Sequence, residues 1–412
     1  MRRFTVLLIV GSLLALSLTG LSTPATARGP DFERRPFTVI AVVDSGINPY
    51  HVDFRRPELT VHPSKYIEGF PKDAKALDLT LDADSYEEAV EADKQEWSRA
   101  GKGDFVWIPG TNIIGAMTLT DESIRDEVGH GTPVASLAAG RVHGPASNDL
   151  VIVALEGFSD AVDWAAEQPW IDVITNSWSS FGPSPQEHAE PSRKAVAAGK
   201  IVCYASGNFA APVWMSGSQG GSWNVNVGAA SHRTRGEHAY TSYPNDVLGP
   251  SQVPAATLDS IDGEADFGGT SAATPNVCGE IANTITDVRA ALGDYDAGPA
   301  QGLARGRRGE GPYLKDGCID REELEEVIQA TARPAESSPP DPADPYAIPA
   351  PPAAGFLRGG YGIVDEASAK DAMDVLFGRA PKPERELEDQ WTDQMDGLRE
   401  AVYGAAPGPT GC

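Results

Sequence analysis

Short runs of almost uninterrupted apolar residues recur along the chain, at 37–43, 149–154 and 200–205. Such runs are typical of strands buried on both faces, whereas a strand with one wet face alternates apolar and polar residues. Helical patterns lie at 159–168 and 186–198, and a strand-like stretch lies within 170–178. The alternation predicts an α/β fold, a three-layer sandwich with a mostly parallel central sheet and helices on both faces.

The charge balance limits the class of partner. The 412 residues include 33 basic and 59 acidic side chains, a formal net charge of −26, while 41% of residues are hydrophobic. A surplus of negative charge opposes any broad electrostatic contact with nucleic acid or anionic lipid. We therefore expect a solubilising surface, a monomer and no nucleic-acid partner.

The first 27 residues have the composition of a secretory signal peptide. Two arginines follow the initial Met, an apolar stretch covers 6–21, and Ala25-Thr26-Ala27 supplies small residues before a cleavage site. An uncleaved membrane anchor is the alternative, but the apolar stretch is short for the roughly 30 Å of hydrocarbon in a bilayer. We expect a secreted, extracellular protein that is free of the membrane after cleavage. Residues 28–36 then form a lead too short for a folded prosegment, so the mature chain should fold unaided.

Two further segments stand out by composition. Eight prolines between 334 and 352 predict an extended surface loop. In the stretch 55–125, the capping pattern Ser85-x-x-Glu88 opens an amphipathic helical pattern that reaches Trp97. The acids of this stretch could bind a structural calcium ion, but a solvated helix face is favoured. We place no metal ligand and expect no required cofactor.

Four cysteines, Cys203, Cys278, Cys318 and Cys412, leave the pattern of disulfides open. An exported protein permits disulfides, and four cysteines allow three pairings. Buried unpaired thiols at Cys203 and Cys278 are an equal alternative to a bridge.

Two side chains could form an acid–base pair. Asp44 ends the first apolar run, in the sequence VVDSG. A carboxylate at the tip of a central strand is held rigidly and suits the orientation of an imidazole, although Asp-Ser-Gly is also common turn chemistry. His130 stands in GHGTPVAS, just before a predicted helix, and could act as a general base. A single histidine is more often structural, and the sequence has no His-x-x-x-His pair of the kind found in zinc hydrolases.

A nucleophile and an oxyanion donor lie farther along the chain. Ser271 is in GGTSAATP, at the start of a helical pattern that runs to about Leu292. A serine there is usually an N-cap, but the free N–H groups and positive end of a helix also favour a developing negative charge. Asn208 ends the sequence YASGN, and its amide could donate to an oxyanion or cap a turn.

Together these segments resemble the subtilisin-like serine proteases, the subtilase family. The order Asp, His, Ser belongs to that family and differs from the orders of chymotrypsin and the α/β-hydrolases. The motifs around all four side chains are intact, and His51 and Asp53 match a non-catalytic His-x-Asp. Residues 322–332 and 360–365 resemble the family's closing helix and closing glycine block. The resemblance covers 37–378, the expected catalytic domain, and leaves 379–412 as a C-terminal tail with one amphipathic helix.

The resemblance implies a secreted serine endopeptidase acting on protein or peptide substrates. Ser271 would attack the scissile carbonyl, His130 would take and return the proton, and Asp44 would fix the imidazole tautomer. The Asn208 amide and the Ser271 backbone N–H would hold the oxyanion. Activity is expected to fall below about pH 6, as His130 becomes protonated.

Two segments correspond to the family's substrate-binding walls. The strand that pairs with substrate would be Ser177, Trp178 and Ser179, and the opposite wall of the primary pocket would be Ala205, Ser206 and Gly207. Peptide would bind extended, as an added strand. Neither segment carries a charged residue, so we expect an apolar or permissive cleavage preference.

The chain departs from the family pattern at a few points. The distance from Asp44 to His130 is long for the family, so 55–125 is expected to carry an insertion near the cleft rim. Ser179 replaces a usual glycine and Asn276 a frequent histidine, which changes the expected shape of the pocket. Two alternative functions remain: a catalytically inactive scaffold that binds peptides, and a dedicated processing protease or peptide ligase on the same fold.

Overall fold

In the computed structural model the apolar runs lie together in the middle of one sheet. The structure describes residues 35–179, 184–233, 235–295, 298, 302–335, 358–408 and 411–412. Among these residues the strands of the main sheet are β1 (Thr38–Val43), β2 (Lys75–Ala76), β3 (Val106–Trp107), β4 (Ile113–Thr118), β5 (Leu150–Glu156), β6 (Val173–Asn176), β7 (Ile201–Ala205), β8 (Val225–Ser231) and β9 (Val247–Ser251). Their order is β2-β3-β4-β5-β1-β6-β7-β8-β9, and all neighbours pair in parallel except β3 and β4.

Helices cover both faces of this sheet. The helices of the described residues are α1 (Tyr86–Ala92), α2 (Lys94–Trp97), α3 (Gly131–Ala139), α4 (Phe158–Glu167), α5 (Pro185–Ala197), α6 (Thr270–Leu292), α7 (Arg321–Thr331), α8 (Glu366–Leu376) and α9 (Glu386–Tyr403). Successive residues of a strand point to opposite faces. Accordingly, Ile40 and Val42 of β1 pack in one apolar core with α3 and α6, and Val39 and Ala41 pack in a second core with α4 and α5. The predicted three-layer sandwich is confirmed.

Two small antiparallel pairs lie outside the main sheet. β10 (Val253–Ala256) pairs with β11 (Glu264–Phe267), and β12 (Ala304–Arg305) pairs with β13 (Cys318–Ile319). The first pair leads directly into α6 through two glycines, and it brings Phe267 close to the start of α3.

The stretch 55–125 supplies one edge of the sheet and two short helices. The sequence predicts one helix as far as Trp97, but the structure divides it into α1 and α2 at Asp93. Asp93 is buried, and its carboxylate accepts hydrogen bonds from the hydroxyl groups of Thr80 (2.6 Å) and Tyr50 (2.9 Å). These long-range bonds hold the residue out of the helical register, which explains the break.

The tail is tied to the rest of the molecule by a disulfide and a buried arginine. Cys318 bonds to Cys412, while Cys203 and Cys278 are buried free thiols. From α9, Arg399 donates to the backbone carbonyl of Gly220 (2.8 Å) and to the carboxylate of Asp246 (2.7 Å). A buried charge of this kind needs such partners, so the position of α9 is specific.

Some sequence-based predictions fall on other parts of the chain. The signal peptide 1–27 and residues 336–352 of the proline-rich loop lie outside the described residues. Within the described part, no helix combines the length and the apolar character needed to cross a bilayer.

Candidate active site

The residues singled out in the sequence gather where parallel strands end. Asp44 follows β1, Ser177 follows β6, and Asn208 lies three residues after β7. His130 is the N-cap residue of α3, and Ser271 is the second residue of α6. The carboxyl edge of a parallel sheet is the usual position of a ligand site in α/β folds, because the loops that follow adjacent strands meet there.

A hydrogen bond joins the first two of these side chains. His130 Nδ1 lies 2.8 Å from Asp44 Oδ1, and the Asp44 side chain is 4% exposed. Because a carboxylate only accepts, Nδ1 must carry the proton, and the neutral ring then has its lone pair on Nε2. The backbone N–H of Ser45 also donates to Asp44 Oδ1, at 2.8 Å. His130 is thus held in the tautomer that a general base requires.

Opposing influences act on the pKa of His130. Burial lowers it, but the hydrogen bond and charge of Asp44 and the charge of Asp126 outweigh burial, so the pKa is raised above its ordinary value of 6.5. The imidazolium form is therefore favoured at a higher pH than in a free histidine.

This raised pKa predicts the acid limb of the pH–activity profile. Since only neutral His130 can accept a proton, kcat/KM should fall as the pH decreases through a pKa above 6.5, rather than below about pH 6 as the sequence alone predicts. The measurement is kcat/KM on a peptide substrate between about pH 5 and pH 9. A limb at or below 6.5 in the unmodified protein would contradict this account.

Ser271 is held against the loop that follows β6. Its hydroxyl donates to the backbone carbonyl of Ser177 at 3.2 Å, and the Ser177 hydroxyl donates to the carbonyl of Ser271 at 2.9 Å. Across the described residues, no hydrogen bond joins Ser271 to His130, whose ring contacts Phe267 edge-on at 5.3 Å between centroids. Catalytic hydrogen bonds are often long without substrate, and a rotation about χ1 of Ser271 changes its partner. The N-cap of α6 is Gly269, so Ser271 does not cap the helix.

Asn208 is oriented by the residue that precedes the serine. Its Oδ1 accepts from the backbone N–H (2.9 Å) and the hydroxyl (3.1 Å) of Thr270. Since a backbone N–H can only donate, the amide oxygen must face Thr270, and the Nδ2 donor is left on the other side of the amide. A Cβ at Gly269 (φ +76°) would lie 2.9 Å from Nδ2, so glycine is required both for this backbone conformation and for the close approach.

Asp126 is a supporting residue that the sequence reasoning missed. Its side chain is fully buried. Oδ1 accepts hydrogen bonds from the Ser45 hydroxyl (3.0 Å) and the Gly129 backbone N–H (2.9 Å). Oδ2 accepts from the backbone N–H (2.9 Å) and the hydroxyl (2.8 Å) of Thr132. These bonds fix the loop on both sides of His130. Several acids occupy this loop, and nothing in a single sequence marks the one that is buried.

The loop of Asp44 and the start of α3 are in backbone contact. A Cβ on Gly131 would lie 2.1 Å from the carbonyl oxygen of Gly46, and Gly46 itself has φ +111°. Larger residues at either position would push the two segments apart, and with them Asp44 and His130. The glycines on which the family resemblance rests therefore have a direct packing role.

The predicted substrate-binding segments lie beside this site. Trp178 is buried, with ring centroids 5.1 Å from Phe158 and 5.6 Å from Tyr204, while Ser179 is exposed. In the other segment, the Ser218 hydroxyl donates to the Ala205 carbonyl and the Ser216 hydroxyl donates to the Ser206 carbonyl, both at 2.7 Å. The backbone N–H of Gly207 donates to the Thr270 hydroxyl at 3.2 Å. Large apolar residues next to site positions are solvent-exposed: Val128, Phe158 and Phe209.

One cluster of potential metal ligands is found among the described residues, Asp320, Glu323 and Cys412. Cys412 is disulfide-bonded, and the two carboxylates cap α7: Asp320 accepts from the Glu323 N–H at 2.9 Å, and Glu323 accepts from the Asp320 N–H at 3.3 Å. These contacts account for the cluster without an ion. A structural calcium ion stays the alternative to a solvated helix face, with no assigned ligands.

The chain was compared with curated proteins and with solved structures. No curated protein matches the chain. Similar solved structures include a cold adapted subtilisin-like serine proteinase (17% identity, TM-score 0.44, covering 74% of this chain and 85% of that one). A second is the prenylagaramide maturation protease PagA (15% identity, TM-score 0.45, covering 83% of this chain and 95% of that one). A third is the epidermin leader peptide processing serine protease EpiP from Staphylococcus aureus (14% identity, TM-score 0.47, covering 83% of this chain and 76% of that one).

A family model gives the decisive match. The model described as "Subtilase family" covers residues 37–295, which is more than half of the chain and includes all four side chains of the candidate site. The protein therefore belongs to the subtilase family, whose membership implies serine-type peptidase activity.

Proposed function

We propose that this subtilase is a secreted serine endopeptidase in which Ser271 is the nucleophile. The observation that carries the proposal is the 2.8 Å hydrogen bond between His130 Nδ1 and Asp44. This bond fixes the tautomer of the base, His130. Ser271, in the first turn of α6, lies at the same edge of the sheet. Secretion is supported by the signal-like composition of 1–27; N-terminal sequencing of protein from the culture medium should begin at Arg28.

The proposed reaction follows the usual two steps of acyl transfer. The Ser271 hydroxyl leaves Ser177, transfers its proton to His130 Nε2 and attacks the substrate carbonyl. Asp44 stabilises the imidazolium that forms, and His130 then gives the proton to the departing amine. Water, activated by the same ring, hydrolyses the acyl-enzyme and frees Ser271.

The oxyanion would be held by Asn208 Nδ2 and the backbone N–H of Ser271. Asn208→Ala should lower kcat by about 10²–10³ with little change in KM, because the lost bond is made only to the developing oxyanion; this scale is taken from subtilisin, a relative. Steady-state kinetics on a chromogenic peptide measures the effect. Thr270→Val is the matched variant, since it removes a partner of Asn208 but keeps the amide, and it should lose less. Full activity of Asn208→Ala would overturn the oxyanion assignment.

Substrate is proposed to bind as an extended strand along Ser177, Trp178 and Ser179, with apolar side chains preferred. The support is the uncharged composition of both wall segments, together with the exposure of Phe158, which contacts Trp178, and of Phe209, which follows Asn208. Mass spectrometry of the products from a peptide library tests this directly. Many cleavages at apolar residues support an endopeptidase, joined peptides indicate a ligase, a single sequence indicates a dedicated processing enzyme, and no product indicates an inactive scaffold.

A further inference from the structure

A concentration of arginine lies far from the candidate active site. A cavity of about 510 Å³ is lined by the side chains of Arg35, Arg55, Arg56 and Arg141, with Glu58 as the acidic residue in its lining. We call it the arginine cavity. Four positive charges at one point are unexpected in a chain with a net charge of −26, because dispersed arginines would avoid mutual repulsion.

Some donors of these guanidinium groups have no hydrogen-bond partner among the described residues. Arg56 is only 3% exposed, yet its Nε has no hydrogen-bond partner, and its Nη1 bonds to the carbonyl of Arg55 at 3.0 Å. Arg55 Nε is likewise buried without a partner. Arg141 is exposed, and its side chain makes no hydrogen bond or ion pair with a described residue. Arg141, whose exposed donors are unpaired in the described part of the chain, is the guanidinium group that can meet an anion in the cavity without rearrangement.

Among the described residues, Arg35 is the member of the four that forms ion pairs with acids. Glu58 reaches Arg35 only at 3.9 Å, and Arg35 is already paired with Asp149 at 2.5 Å. Burial lowers the pKa of Arg56, the charge of Glu58 raises it, and the like charge of Arg141 lowers it again, with a net decrease. The charged form of Arg56 is thus electrostatically disfavoured, and a bound anion would stabilise it.

We propose that the arginine cavity binds a multivalent oxyanion of the phosphate type. A guanidinium group presents paired N–H donors that match two oxygens of a phosphate, whereas chloride accepts without this geometry. A water molecule occupies about 30 Å³ in the liquid, so a cavity of about 510 Å³ has room for several linked phosphates as well as for one.

The position of the cavity predicts its effect. Arg35 precedes β1 and Arg141 follows α3, so a bound anion would join the opposite ends of the two elements that carry Asp44 and His130. The six residues of β1 place this edge about 20 Å from Asp44. The anion should therefore stabilise the fold without competing with peptide substrate.

The test is calorimetric titration of the chain from Arg28 with inorganic phosphate and with tripolyphosphate, at constant ionic strength set with chloride. We expect saturable binding and an increase in Tm. Tighter binding of tripolyphosphate identifies a linked polyphosphate as the ligand, and equal binding identifies a single phosphate group. Arg141→Gln, at an exposed position, should weaken binding about tenfold or more, because a charge-assisted bond is lost. Glu58→Gln should strengthen binding, since it removes a competing carboxylate.

A matched control separates the site from general charge effects. Arg307→Gln makes the same charge change at an exposed arginine outside the cavity and should leave binding unchanged. Arg56→Lys keeps the buried charge but loses the paired donors, and a folded Arg56→Lys protein should bind more weakly. Absence of saturable binding of both anions, or equal loss in Arg307→Gln and Arg141→Gln, would overturn the proposal. Neither result bears on peptide hydrolysis, which is assayed separately.

Discussion

Ser271→Ala should lower kcat for peptide hydrolysis by about 10⁶, the scale found when the nucleophile of subtilisin, a relative, is removed. The loss is large because Ser271, His130 and Asp44 act as one unit, so the other two residues have no function without the hydroxyl. Binding and the oxyanion donors remain, and a residual acceleration over water of about 10³–10⁴ should persist. Steady-state kinetics on a peptide substrate, with the protein concentration fixed by absorbance, measures the change.

Ser271→Ala should remove the reactive hydroxyl without disturbing the fold. In the unmodified protein the Ser271 hydroxyl donates one weak hydrogen bond, to the backbone carbonyl of Ser177 at 3.2 Å. Its loss should therefore leave the Tm close to that of the unmodified protein. Ser98→Ala, which removes an exposed hydroxyl elsewhere, is the control and should keep full activity. Retention of more than about 1% of kcat in Ser271→Ala would mean that another group is the nucleophile.

Asp172→Ala should destabilise the protein by about 3–5 kcal/mol, because it leaves a charged guanidinium buried without its counter-ion. Asp172 and Arg289 are both fully buried and form a bidentate pair at 2.6 and 3.0 Å. Arg289 also donates to the carbonyl of Phe37 at 2.7 Å, and Asp172 accepts from the N–H of Val39 at 2.9 Å. The pair thus joins α6, which carries Ser271, to the starts of β1 and β6.

Urea unfolding in the Ser271→Ala background avoids self-digestion and gives the free energy of unfolding. Asp163→Ala is the matched control, because its pair with Lys194 is exposed (41% and 46%) and contributes little to stability. The double variant Asp172→Leu with Arg289→Met removes both charges and should recover much of the loss. A cost for Asp172→Ala no larger than that for Asp163→Ala would show that the buried pair does not hold these elements together.

The sequence predicts the sheet and the positions of the site residues because both depend on local pattern. β1 is buried along its whole length, so its apolar run is continuous. Asp44, Asn208 and Ser271 lie where strands end or a helix begins, and strand and helix ends are marked by glycine and small residues. The family resemblance then supplied their order and expected roles.

What could not be predicted depends on contacts between distant residues. Asp93 ends α1 because Tyr50 and Thr80, which lie 43 and 13 residues earlier, donate to its carboxylate. Asp126 supports His130 through Ser45, which is 81 residues away. The arginine cavity likewise requires the fold to bring four separate positions together. None of these pairings leaves a periodic signal in one sequence.

Reaction with a fluorophosphonate probe tests the central claim most directly, since the probe is attacked only by an activated serine. We expect one adduct, located at Ser271 by peptide mass spectrometry, with labelling at least about 10² slower in His130→Ala because the general base is lost. Labelling at another residue, or equal rates in the unmodified protein and His130→Ala, would contradict the assignment of Ser271 and His130 as nucleophile and base.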